Sequence, residues 1–350
     1  MTVYSVPLVP ILANTPGANF GMEMMMKSTF NIIDKDKKRY GTYEFIIETF
    51  PGLKIITFDR PRGNVSQKFK SMRQYPHFSI YQELIICEII VDDQNWHEKI
   101  PIYSELSRDK KNVFVRNVID SLVWMMKIRG FTWFHTPILL KGSSVKDLQN
   151  AKEKSVEIQA VHHKPMSIPI APWSNLNRES LRVEDMEWIQ ENHIKLFRLI
   201  ENGEDYMAVW NILQHLTTDL ELEILLISLW AAIENIVKPK AQIRQSISKR
   251  IAMICNQDLE MRVGKDPKEI YKEVKELYDY RCDVVHGNRP LIENLEGFLR
   301  GSLTEKDAKR MDGFSRTFNV FKLLLMGIIE RGSFYEKREL DLFEEKFEKL

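Results

Sequence analysis

Cysteine is scarce. Cys87, Cys255 and Cys282 are the three cysteines in 350 residues. They are odd in number and far apart, which argues against a disulfide framework and fits a reducing compartment. Long hydrophobic runs are missing too. The longest charge-free apolar run in the C-terminal half, "ILLISLWAAI" at 224–233, is too short to span a bilayer. The opening "MTVYSVPLVPILA" meets its first basic residue only at Lys27, so it is not expected to serve as a secretory signal. Nor does one sign of charge dominate. Fifty basic and 49 acidic residues give a formal net charge of +1, so any preference for nucleic acid or membrane must come from local patches. There is no Walker-type GxxxxGK[ST], no GxSxG, no HExxH and no internal repeat. His162 and His163 are neighbours with no cysteine or carboxylate at ligand spacing, which does not make a zinc site. These absences predict a cytoplasmic protein with no membrane contact, no cofactor and no metal.

What is present falls into two textures. From about 20 to 102 the chain reads as strands: "TYEFIIETF", "LKIITF" and "YQELIICEIIV" are β-branched and aromatic runs separated by turn residues. "DKDKKRYG" reads as a charged hairpin connection. An amphipathic helix is expected over 107–130, with further strands in "FTWFHTPILLKG" and "SVEIQAVHHKPMSIPI". A proline-marked stretch then leads to a segment that is helical almost throughout. Helices are expected at 183–201, 206–216, 220–237, 241–256, 267–286, 304–330 and 335–350. Helix 220–237 is apolar nearly all round and is expected at the centre of a bundle. The fold class is therefore α+β: a β-rich N-terminal domain over 1–178, then an all-α bundle over 179–350.

One helix places an arginine on its apolar stripe. Stepping about 100° per residue along "YDYRCDVVHGN" and the turns before it, Ile270, Val274, Leu277, Tyr278, Val284 and Val285 fall within roughly 60° of Arg281. A guanidinium cannot shed its charge and needs an anionic partner when buried. Glu234, in the most apolar helix and on one face with Ile227, Trp230 and Ala231, is a candidate. In the plainest reading, Arg281 and Glu234 clamp two helices. His286 lies roughly 140° from Arg281 on an ideal helix, so the two do not share a face. Gly287 is a natural C′ residue that releases the helix. Asp283, one turn back, is placed to hold a ring nitrogen of His286. A histidine at a helix end also serves simply as a cap.

"R-C-D-V-V-H-G" resembles the R-x4–6-H motif of HEPN domains. Together with "SLWAAIENIV" and "SISKRIAMI" it is similar to the ApeA-like branch, over about 219–330. In that branch a "Y-x-x-R-x-x-x-x-H-G" helix follows an "A-x-E" helix. The resemblance implies a dimerising helical bundle that is a metal-independent endoribonuclease, with arginine and histidine of both protomers converging at the dimer cleft. In that setting His286 acts as general base or acid, because its pKa lies near neutrality. Arg281 stabilises the phosphate, because its planar fork matches two oxygens. Asp283 orients His286, and Glu234 positions Arg281 or the imidazole. Many family members carry a polar residue directly after the arginine; here Cys282 stands there and the carboxylate is displaced to Asp283. The resemblance also implies an RNA-cleaving defence effector whose N-terminal domain takes a trigger or selects substrate.

Two basic runs are candidate RNA contacts. "RPRGNVSQKFKSMR" at 60–73 contains Arg60, Arg62, Lys68, Lys70 and Arg73 with no acid. "KPKAQIRQSISKR" at 238–250 contains Arg244. Both also read as ordinary solvated charge. Two functions outside catalysis compete with the ribonuclease: a silent dimerising scaffold for nucleotide, RNA or protein, and an RNA-binding regulator working through the 60–73 run.

Overall fold

The structure, a computed structural model, describes residues 2–10, 32–33, 39–40, 43–46, 53–59, 85–91, 125, 128–129, 134–135, 138–141, 157–160, 181–202, 209, 222–257, 266–287 and 305–350. The chain divides into two compact units. One comprises Met1–Ala13, Phe20–Met166 and Asn177–Ile194; the other comprises Asn14–Asn19, Ser167–Leu176 and Lys195–Leu350.

The first unit holds the described strands: β1 Thr2–Pro10, β2 Ile32–Ile33, β3 Arg39–Tyr40, β4 Tyr43–Ile46, β5 Leu53–Asp59, β6 Ile85–Val91, β7 Phe134–His135, β8 Ile138–Lys141, β9 Glu157–Ala160 and β10 Leu181–Arg182. A seven-stranded sheet runs β4-β5-β6-β1-β8-β9, with β7 paired to the end of β1. Every pairing in it is antiparallel, and β1 aligns Thr2 with Val91 and Leu8 with Ile85. β1 carries Pro7 and Pro10, and sequence patterning did not single it out as a strand. In a smaller sheet, Ile32 and Ile33 face Tyr40 and Arg39, so the charged "DKDKKRYG" stretch does join a strand pair. Of the helix expected over 107–130, residues 125, 128 and 129 are described and helical. Arg129 Nε donates to Asp185 Oδ1 at 2.9 Å, and Asp185 Oδ2 accepts the Arg182 backbone N–H at 2.8 Å, closing half of a capping box at a helix start.

That helix is α1, Val183–Asn202. It is followed by α2 Leu222–Val237, α3 Ile243–Gln257, α4 Pro267–Val285, α5 Glu305–Arg331 and α6 Lys337–Phe347. Each lies within one turn of its sequence expectation; the helix expected at 206–216 lies outside the described residues apart from the helical Val209. α4 shows why its ends fall where they do. Asp266 caps it, accepting the Lys268 N–H at 2.7 Å, and Pro267 fills the next position, where no N–H is needed.

The packing corrects one expectation. α3, rather than α2, is the hub, lying against α2, α4, α5 and α6. α2 buries Leu225, Leu226, Leu229, Trp230, Ile233 and Ile236 but leaves Ile224 and Ile227 exposed, so it is not enclosed all round. The 238–250 run, read as solvated charge or an RNA path, is exposed over 240–245 but turns inward towards its end. Arg250, Ser246 and Ser248 are buried. Arg250 Nη1 donates to the Val237 carbonyl at 2.9 Å and also to that of Lys238, and Nη2 meets Asp341 at 2.8 Å; Nε donates to Glu344. One guanidinium thus satisfies the carbonyl end of α2 and two carboxylates of α6. Lys238 takes φ +43°, a left-handed turn unusual for a side-chain-bearing residue.

Candidate functional site

The site is built where α2 and α4 touch. The Trp230 ring meets the Tyr278 ring edge-on, with centroids 5.2 Å apart, and one turn further along each helix Glu234 faces Arg281. The Arg281 guanidinium also lies over the Tyr278 ring at 5.4 Å. The sequence reading named the right acid, but the pair is loose. Arg281 Nη2 stands 3.9 Å from Glu234 Oε1, beyond hydrogen-bond range. Arg281 Nε, Glu234 Oε1 and Trp230 Nε1 are all buried without a hydrogen-bond partner. Three unsatisfied polar atoms at one seam are unusual in a packed bundle.

The electrostatics follow from this half-burial. Loss of water pushes the Glu234 carboxyl above its ordinary range, and the Arg281 charge draws it only part of the way back. Burial also raises the Tyr278 phenol; the Glu234 charge adds to that shift and Arg281 opposes it.

α4 ends as its sequence suggests. His286 is the C-cap, with its N–H donating to the Cys282 carbonyl at 3.0 Å, and Gly287 takes φ +68° and donates to the Val284 carbonyl at 3.0 Å. The His286 side chain is exposed and has no hydrogen-bond partner among the described residues. Asp283 therefore does not hold the imidazole, as its spacing suggested. No hydrogen bond among the described residues links Arg281 to His286. Val285, read as part of the apolar stripe, is 38% exposed, so the stripe is buried only as far as Val284.

The remaining candidates are scattered. Arg244 is exposed and ion-paired with Asp279 on α4. Arg60, Arg62, Lys68, Lys70 and Arg73 lie outside the described residues, as do His162 and His163. No helix among the described residues is long and apolar enough to cross a membrane. Sequence reasoning missed the unsatisfied Trp230 Nε1; its one signal was the position of Trp230, one turn before Glu234 on the same helix face. Comparison of the chain with family models, with curated proteins and with solved structures finds no match.

Proposed function

We propose that the helical part is an endoribonuclease that works as a homodimer without a metal, with a β-rich N-terminal domain that selects substrate or senses a trigger. The observation that carries this reading is Arg281: a half-buried guanidinium with no hydrogen bond among the described residues, on the helix that ends in the exposed His286. Such a guanidinium is ready for phosphate oxygens. An exposed imidazole is free to take the proton from a 2′-hydroxyl or to give one to the leaving 5′-oxygen. Attack by the 2′-oxygen would leave a 2′,3′-cyclic phosphate, and DNA, lacking that hydroxyl, would be spared. Because Arg281 and His286 lie roughly 140° apart on an ideal helix, the reaction calls for groups from both protomers. Work in the cytoplasm and a place in antiviral defence, as an abortive-infection effector, follow from the HEPN resemblance alone.

Purified protein incubated with total RNA in EDTA is expected to give cyclic-phosphate ends. Both His286→Ala and Arg281→Ala should abolish that cleavage while leaving folding intact. Cleavage that survives either change would sink the assignment. The neighbouring Glu234 carboxylate favours a second reading, in which the pair is structural and the bundle is a silent scaffold for nucleotide, RNA or protein. RNA left uncut by the unsubstituted protein would support that reading.

A further inference from the structure

The α2–α4 seam contains a donor that neither the packing nor the chemistry proposed above employs. Trp230 is 0% exposed, and its ring stands edge-on to that of Tyr278. That contact needs the ring alone. Burying the indole N–H as well is costly unless something accepts from it. Phenylalanine would fill much of the same space without that cost. Glu234 follows Trp230 by four positions, so the two side chains fall within about 40° of each other on α2. Helical side chains lean towards the N-terminus of their helix, which tips the Glu234 carboxylate back over the Trp230 turn. Glu234 Oε1 is buried and accepts no hydrogen bond, and Trp230 Nε1 is buried and donates none.

Phosphate binding makes this neighbour matter. Arg281, 3.9 Å from Glu234, is the cation that acts on that carboxylate. A phosphate seated on the Arg281 fork would occupy its donors. It would also set a second anion beside Glu234 in a half-dry seam, where like charges repel strongly. Glu234 then needs another donor. Two uncharged ones stand at the seam, the Trp230 indole and the Tyr278 phenol. The phenol is coupled to Glu234: burial first, and then the Glu234 charge, make it hold its proton more tightly. Trp230 is the better placed, since it shares both helix and face with the acid and is dry. α3 and α5 also pack on α2, but among the described residues they bring no titratable group to bear on Glu234.

We infer that Trp230 is a positioning residue: its indole N–H is the second partner of the Glu234 carboxylate and takes it over when a phosphate engages Arg281. Glu234 thereby moves from a charged donor on α4 to a neutral one on its own helix, and Arg281 is left wholly to the substrate. The inference rests on the phosphate role given to Arg281 above and adds the residue that frees it.

The indole can be followed without RNA. In nitrogen-labelled protein the seven tryptophans each give an indole resonance, and that of Trp230 is picked out by cross-relaxation with the Tyr278 ring, whose centroid is 5.2 Å away. Arg281→Ala stands in for an arginine already claimed by phosphate. At alkaline pH it should move the Trp230 resonance downfield, as an indole does when it donates to a carboxylate. Adding Glu234→Ala should remove that shift, and adding Tyr278→Phe should leave it. Kinetics give a second readout. Trp230→Phe keeps a ring and loses the N–H, so Glu234 stays in competition with phosphate; kcat/KM for RNA cleavage should fall about tenfold. Trp230→Phe with Glu234→Ala should recover most of it, which a merely structural tryptophan would not allow. A shift that never appears, survives Glu234→Ala or is lost with Tyr278→Phe overturns the inference, as does a Trp230→Phe enzyme of undiminished activity. RNA left uncut by the unsubstituted protein would count against the ribonuclease, while the resonance would still decide where the carboxylate goes.

Discussion

Glu234 ionises at a cost. An acid whose folded pKa is raised holds its proton more tightly when folded. The stability it contributes is full below the ordinary carboxylate range and is lost as pH rises through the raised value. At neutral pH, therefore, ionised Glu234 works against the fold, with Arg281 compensating only partly. Glu234→Gln is expected to melt at a higher temperature at pH 7. That advantage should shrink to nothing by about pH 4, where the glutamate is itself protonated. Thermal melts across pH measure this directly; a constant difference would show that the carboxylate is not desolvated. The identity of this pair was legible in the sequence, because an arginine on an apolar stripe demands an anion and the most apolar helix offers few. The 3.9 Å gap was not, since spacing along a helix says nothing about how closely two helices approach.

At the scale of elements, helix ends were the most legible features. Asp266-Pro267 and His286-Gly287 bracket α4 in the sequence as they do in the fold, because caps act through residues only a few positions apart. Gly287 can be tested. A Cβ added there meets nothing within 4 Å, so the penalty for a side chain comes from φ +68° alone. Gly287→Ala should cost about 1–2 kcal/mol in urea unfolding. Gly287→Asn should cost less, because asparagine tolerates the left-handed region. Equal costs would mean that the glycine serves some purpose other than its backbone angle. β1 was not legible, for the opposite reason. Its prolines lower its score as a strand, and its partners β6 and β8 lie far along the chain. The exposed side of α2 escaped notice because an all-apolar helix looks the same from sequence whether it is enclosed or left open for a partner.

At the scale of the whole helical unit, Arg250 does what the sequence hid. It sits in a run that reads as solvated charge, and its carboxylates, Asp341 and Glu344, lie 91 and 94 positions further on. No local pattern connects them. Fully buried, it ties the end of α2, α3 and α6 together, so its loss should be felt by the entire unit rather than by one helix. Arg250→Ala is expected to cost about 3–5 kcal/mol, because it leaves carboxylates and carbonyls unanswered in a partly dry setting. At roughly 2–4 °C per kcal/mol, the melting temperature should fall by about 6–20 °C in a single cooperative transition. Arg281→Ala removes a side chain that makes no hydrogen bond among the described residues and should shift it far less. Similar shifts for the two would contradict the contrast between them.

The same clamp bears on synthesis. A chain leaving the ribosome makes α2, α3 and α4, with Arg281 and His286 already in place, well before it reaches α6. Until translation has passed Glu344, Arg250 has no carboxylate to answer it and the bundle cannot lock. A nascent chain still attached to its own messenger would thus carry the arginine and histidine on an unfinished scaffold. α6 thus sets the moment at which the clamp on α2 and α3 can close.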